Sequence, residues 1–245
     1  MPAKVRLDLA LLERELVDSR AKAQALIMAR RVTMNGQIAD KPGLRVALDD
    51  QLAVIALEHP WVGRGGMKLA HALAHFEIDV REKICVDLGA STGGFTQVML
   101  AGGAAKVYAI DVGYGQLDQS LRTDPRVVNR EKVNARYLEP GDFGETIEFL
   151  SADLSFISLR LVLPAIARIV PAGGRAVGLI KPQFEVGKRD VGKGGIIRDE
   201  AKRKEAVDAV VMTAIELGFE SGGVTESPIR GAEGNVEYLM SLVRQ

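Results

Sequence analysis

Apolar residues recur at two different periods along this chain, and the pattern changes near residue 60. Over residues 5–17, Leu7, Leu11, Leu12 and Leu16 lie near helical spacing and predict a helix. Asp18 or Ser19 can cap a second helix running to about residue 31. In VTMNGQIAD, Asn35-Gly36 stands between short apolar runs. That pair predicts a hairpin, because a type I′ turn needs positive φ at both central positions. A further strand is expected over about 51–57. Together these form a compact helix–helix–hairpin unit. Pro60 restricts the residue before it to extended conformations and interrupts the pattern. The boundary is therefore expected at His59-Pro60-Trp61-Val62, with a first domain over 1–59, a linker over 60–63 and a second domain over 64–245. Trp61, the single tryptophan, can serve either RNA stacking or packing at the boundary.

From residue 84 the periods alternate. ICVDL, KVYAIDV, the middle of IEFLSADLSF and RAVGLIKP read as strands. GFTQVMLAGG and LRLVLPAIARIV read as helices. Asp199 can cap a long helix with Ala206, Val207, Val210, Val211 and Ile215 on one stripe and Gly218 as its stop. Two strands, about 219–227 and 236–243, close the chain. Repeated β-α units predict an α/β fold with a mainly parallel, Rossmann-like sheet covered by helices on both faces. Ligands in such sheets sit beyond the C-terminal strand ends, where the strand order reverses.

Composition narrows the classes. The chain has 245 residues and is 47% hydrophobic, enough for a sizeable core. Its formal net charge is zero, so any nucleic-acid contact must come from local patches. One such excess exists: residues 1–45 carry nine basic and five acidic side chains, 9 − 5 = +4. The single cysteine, Cys85, excludes an internal disulfide, and its apolar strand suggests burial rather than catalysis. No run of about 18 apolar residues and no signal-peptide core are present. A cytoplasmic protein without a membrane partner is the expectation.

The segment Asp87-Leu-Gly89-Ala90-Ser91-Thr92-Gly93-Gly94-Phe95 leaves a strand and enters a helix. Its glycines allow close backbone approach to a ligand, and the helix start offers free N–H donors. Asp111 ends the next strand, where a carboxylate can accept from both hydroxyls of a ribose. Asn134 follows another apolar strand and is a candidate adenine contact. This geometry serves NAD or S-adenosylmethionine equally. Four further charged residues fall where a site would form: Lys68 in GRGGMKL, Asp153 in SADLSFIS, Lys181 in LIKPQFE and Glu237 in GNVEYL. The last three lie at strand ends or within strands, where charges usually line a site.

The run SRAKAQALIMARRVTMNGQIADKPGLRV resembles the S-four-type RNA-binding domain, a small α+β unit with a basic surface. That resemblance implies RNA contacts at Arg6, Arg20, Lys22, Arg30, Arg31 and Lys41. DLGASTGGFT, GRGGMKL, ADLSFIS, LIKPQFE and GNVEYL resemble the TlyA/hemolysin-A family, whose large domain is similar to FtsJ-type ribose methyltransferases. The family implies a Rossmann-like sheet that binds S-adenosylmethionine and a Lys-Asp-Lys-Glu tetrad carried by Lys68, Asp153, Lys181 and Glu237. It further implies 2′-O-methylation of ribose, with cytidine in ribosomal RNA or ribosomal subunits as the substrate. Ser91-Thr92 replaces the Ala-Pro usual in FtsJ-type loops and fits the TlyA branch.

For such chemistry, Lys181 is the expected base, and a lysine accepts a proton only when neutral. Like charge on Lys68 would favour the neutral amine, whereas Asp153 would oppose it and orient it. Glu237 is expected to hold Lys68 or the substrate ribose. Arg64 and the basic, glycine-rich stretch 187–195, with Lys188 and Arg189, suit phosphate contacts. His71 and His75 have the spacing of a metal pair, but no HExxH motif surrounds them and no metal is expected. Rival readings are a non-catalytic ribosome-assembly factor, a cytolysin and an NAD-linked oxidoreductase.

Overall fold

The structure, a computed structural model, describes residues 4–28, 30–55, 59–187, 191–231 and 233–245, and for Lys193 the backbone alone. The chain divides into two units, Met1–Pro60 and Trp61–Gln245.

In the first unit, β1 (Val5–Arg6) leads directly into α1 (Leu7–Glu13), followed by α2 (Arg20–Met28), β2 (Val32–Met34), β3 (Gln37–Ile38), β4 (Arg45–Val46) and β5 (Leu52–Val54). Leu7, Leu11, Ala23, Ile27 and Val32 are buried together in its core. The expected stripe is shorter than its spacing suggested. The helix ends at Glu13 and Glu15 takes φ 55°, so Leu16 leaves the buried face, and Leu12 is exposed as well. The hairpin forms as expected, with Asn35 at φ 53° and Gly36 at φ 78°. The Asn35 side chain also bonds Asp50 at 2.8 Å and the Gln51 amide at 2.8 Å, which fastens β5 beside β2.

The second unit opens with α3 (Gly65–His75), a helix whose glycine-rich start hid it from sequence reasoning. Then come β6 (Ile84–Leu88), α4 (Gly94–Ala101), β7 (Lys106–Ile110), α5 (Gln119–Arg122), β8 (Val127–Arg130), β9 (Phe149–Ala152), α6 (Leu163–Ile169), β10 (Arg175–Ile180), α7 (Pro182–Glu185), α8 (Glu200–Glu216), β11 (Phe219–Glu226) and β12 (Tyr238–Arg244). The seven strands form one sheet in the order β11-β12-β10-β9-β6-β7-β8. The five strands from β10 to β8 are parallel, and β12 and β11 run antiparallel at one edge. Asp199 caps α8 by accepting from Ala201 and Lys202 amides. The buried line of α8 is Ala206, Val210 and Ala214; Ile215, expected on it, is exposed.

The chain runs β6→β7→β8 in one direction and then returns to place β9 and β10 on the other side of β6. The order therefore reverses between β6 and β9, the position at which an α/β sheet opens a crevice.

Asp87, near the end of β6, is fully buried beneath this crevice. It accepts from Thr96 Oγ1 at 2.7 Å and from Ser151 Oγ at 3.2 Å, tying α4 and β9 to β6. Burial pushes its carboxyl up to about 7, only partly offset by these hydroxyls. A carboxyl raised in the folded state holds its proton where the unfolded chain has lost it. Its contribution to stability is thus greatest at low pH and declines as pH rises from about 4 to about 7. Asp87→Asn should flatten the pH dependence of the melting temperature across that window. Parallel slopes for wild type and variant would show that Asp87 is not the group responsible.

Candidate active site

The site is built on the C-terminal rim of the parallel strands. Gly89 follows β6, Asp111 follows β7, Asp153 follows β9 and Lys181 follows β10. Because β12 is antiparallel, its beginning lies on the same rim. Ile180 pairs with Tyr238, which brings Glu237 beside Lys181. Lys68 arrives from α3. That helix packs so closely on α4 that a Cβ at Gly94 would meet Gly66 N at 2.7 Å. The contact holds Lys68 over the glycine loop. Gly89 has φ 83°, and a Cβ there would collide with the Asp153 carbonyl oxygen, so loop and acid are in direct contact.

Lys68, Asp153, Lys181 and Glu237 form one alternating line of charge. Lys68 Nζ donates to Glu237 Oε2 at 2.6 Å and lies 3.7 Å from Asp153 Oδ2. Lys181 Nζ lies 2.6 Å from Asp153 Oδ1. Asp153 thus divides its two oxygens between the two lysines. All four side chains are at most 19% exposed. The two lysines and two carboxylates sum to zero. Asp153 stands between Lys68 and Lys181 and contacts both. Of the two roles expected for Glu237, the structure shows the one toward Lys68.

Two cavities meet at this line. One, of about 450 Å³, is bordered by Gly89, Ser91, Asp111, Val133, Asn134 and Ala135. Its walls are largely apolar, with Asp111 as the carboxylate at one end. Asp111 accepts from Ser91 N at 2.8 Å and Gly113 N at 2.6 Å, which fixes its position between the glycine loop and the turn after β7. Asn134 uses its side-chain oxygen to cap the following turn at Arg136 N, 3.1 Å away. The second cavity is bordered by Arg64, Lys68, Thr92, Lys181, Phe184 and Glu237, and Ala90, Gly94 and Phe95 reach it from the loop. Gly89, Ser91, Asp153, Ser155 and Phe156 border both.

Two residues expected at the ligand are not on either wall. Asp87 lies beneath the loop, where it braces α4 and β9. Gly93 turns the chain at φ 97° with its Cα against Leu117 and Leu121. His71 and His75 stack their rings at 5.7 Å. Cys85 is buried, and burial pushes its thiol up to about 12.

Sequence reasoning missed three residues here. Ser155 Oγ accepts from Lys181 Nζ at 2.8 Å. Phe156 has φ 64° and is 89% exposed, its ring 5.6 Å from that of Phe184. An exposed aromatic face at a rim of this kind can stack on a nucleobase. Glu185 accepts from Ser158 Oγ at 2.5 Å and Leu159 N at 2.6 Å, pinning the segment after Asp153 to the segment after Lys181. The only signal was the string SFIS after the acid, which reads equally well as more strand.

In the first unit, buried Asp8 accepts from Arg6 at 2.9 and 3.1 Å, from Arg20 at 3.0 Å and from Gln24 at 2.8 Å. The Arg6 guanidinium holds its carboxyl well below the usual carboxylate range. Lys22 pairs with Asp18, and Arg30 and Lys41 are exposed, with Arg31 half-buried. Lys188 and Arg189 lie outside the described residues.

The family model for FtsJ-like methyltransferases matches residues 61–244, and that for the S4 domain matches residues 5–52. The chain belongs to the FtsJ-like methyltransferase family. Within it, the chain is 48% identical over 246 residues to the Mycobacterium tuberculosis 16S/23S rRNA (cytidine-2′-O)-methyltransferase TlyA, covering 100% of this chain and 92% of that protein. This is the TlyA branch, as the motifs implied. A solved Streptococcus thermophilus protein that carries a provisional hemolysin name aligns at TM-score 0.77 and 42% identity, over 100% of this chain and 90% of that one. An S-adenosylmethionine-dependent methyltransferase from Mesorhizobium loti shares the fold of the large unit at TM-score 0.55 and 16% identity, over 74% of this chain and 100% of that one.

For a chain of this family the cavity beside Asp111, with largely apolar walls and a carboxylate at one end, has a lining that suits a nucleoside ligand such as S-adenosylmethionine. Asp111→Ala should weaken its binding by about 1.5–3 kcal/mol, the range for hydrogen bonds to a charged group. Titration calorimetry checks this. Unchanged affinity would remove Asp111 from the donor site.

Proposed function

We propose that this protein transfers a methyl group from S-adenosylmethionine to the 2′-hydroxyl of a cytidine ribose in ribosomal RNA. The observation that carries the reading is the line Glu237-Lys68-Asp153-Lys181 at the junction of two cavities, in a chain of the FtsJ-like family. The relative from Mycobacterium tuberculosis supports both the base and the sugar position. An S4 domain supports RNA as the partner, either free ribosomal RNA or a ribosomal subunit. Such a substrate makes the cytoplasm the site of action. Among the described residues no helix is long and apolar enough to cross a membrane, so the hemolysin name gains no support from a membrane-spanning helix.

Asp111 would hold the ribose of the donor, Val133 and Ala135 would flank its adenine, and the Gly89–Gly94 backbone would meet its methionine end. Bound there, S-adenosylmethionine supplies an electrophilic methyl on a positively charged sulfur. Lys181, in its neutral form, would take the 2′-hydroxyl proton as that oxygen accepts the methyl group. Asp153 keeps the amine in place. Lys68, itself held by Glu237, would offer a free N–H to the substrate. Phe156 gives the target base a face to stack on.

Lys181→Arg should lower the single-turnover rate by about 10²-fold or more, because a guanidinium stays protonated at any working pH and general-base catalysis is worth that much. The wild-type rate should rise with pH. Near wild-type turnover with an unchanged pH profile in Lys181→Arg would mean that the hydroxyl needs only positioning. Lys68→Ala should also slow transfer, by removing a cation beside Asp153 and a group that meets the substrate.

RNA affinity should reside largely in the basic surface of the first unit. Replacing Arg6, Arg20 and Lys22 by Ala should weaken RNA binding and reduce the slope of log K against log salt by roughly 0.7–0.9 for each phosphate that is no longer neutralised. Donor affinity should hold. An unchanged salt slope in the triple variant would locate the RNA surface elsewhere.

A further inference from the structure

Lys181 Nζ donates to Ser155 Oγ at 2.8 Å and forms an ion pair with Asp153 Oδ1 at 2.6 Å, a contact without hydrogen-bond geometry. A neutral amine has two N–H donors and one lone pair. With one N–H held on Ser155, the lone pair turns away from the negative charge of Asp153 and toward the cavity bordered by Lys68, Phe184 and Glu237.

We infer that Ser155 is a positioning residue that aims the Lys181 lone pair at the ribose hydroxyl. The inference rests on the methyl-transfer reading above and adds a residue to it. Asp153 alone cannot do this. One acceptor leaves the amine free to rotate about its carbon–nitrogen bond, and the lone pair then points at the substrate in only some rotamers. The hydrogen bond to Ser155 and the negative charge of Asp153, from different positions along one loop, together remove that freedom.

The loop that carries Ser155 is itself held. Asp153 touches Gly89 through its backbone, and Glu185 ties Ser158 and Leu159 to the helix that begins beside Lys181. Phe156, directly after Ser155, sits at φ 64°, outside the conformations most side chains prefer. Surrounding contacts must maintain that turn, and the turn sets where the Ser155 hydroxyl stands. Ser155 also borders both cavities, so it lies where donor and acceptor meet.

The test uses the full-length protein, ribosomal RNA substrate and labelled S-adenosylmethionine under single-turnover conditions with both saturating. Ser155→Ala should lower the rate of transfer at least tenfold while leaving the dissociation constants for S-adenosylmethionine and RNA within about twofold of wild type. Ser155→Thr retains the hydroxyl and should recover most of the rate. Melting curves and donor binding check that each variant is folded. An Ala variant within about threefold of wild type overturns the inference. So does a rate deficit that Thr does not restore, and so does one that follows weakened binding of either ligand. A wild-type protein that transfers no methyl group at all would instead overturn the methyl-transfer reading on which the inference stands.

Discussion

The carboxylate of Asp153, shared between two lysines, is the interaction on which the site depends. Four charged side chains lie close together with little water around them. Taking such groups out of water costs several kcal/mol each, and only close pairing with opposite charge offsets it. The order Glu237, Lys68, Asp153, Lys181 alternates sign at every step. Without Asp153, two cations would face each other across the cavity, and Lys68 would retain only Glu237. Removing one partner of a buried pair is worth about 3–5 kcal/mol in general, so the line holds its members as a unit.

The first unit uses a related device. Asp8, buried at the start of α1, collects Arg6, Arg20 and Gln24. The Arg6 and Arg20 side chains remain 40% and 51% exposed. One acid thereby holds two cations on one surface and limits their freedom. A carboxylate organises basic groups in both units.

Much of this was legible in the sequence, and the reason is local. The Asn35-Gly36 hairpin, the Asp199 cap and the alternation of strand and helix follow from backbone preferences within a few residues. Gly89, Asp111, Asp153 and Lys181 were readable because each follows an apolar strand. Other features depend on neighbours distant in sequence. α3 was hidden because its glycines, poor helix formers, are needed for close packing on α4. Leu12, Leu16 and Ile215 had the right spacing, but where the helix ends or faces solvent is set by the partner it packs on. Asp87 reads like a ligand residue because it opens the glycine loop; only the three-dimensional packing of Thr96 and Ser151 reveals it as a brace below. Ser155 and Phe156 sit in a turn whose shape depends on Glu185, 30 residues after Ser155, and no local pattern announces that.

If the rim of the sheet delivers a methyl group to a ribose oxygen, the product carries its own signature. A 2′-O-methyl group blocks alkaline cleavage of the adjoining phosphodiester, so the modified position can be read directly in the RNA. Ribosomal RNA treated with the protein and labelled S-adenosylmethionine should carry the label at a cytidine, and the alkaline ladder should show a gap at that same nucleotide. Label on the base with an unbroken ladder, or no label in RNA at all, would contradict the account.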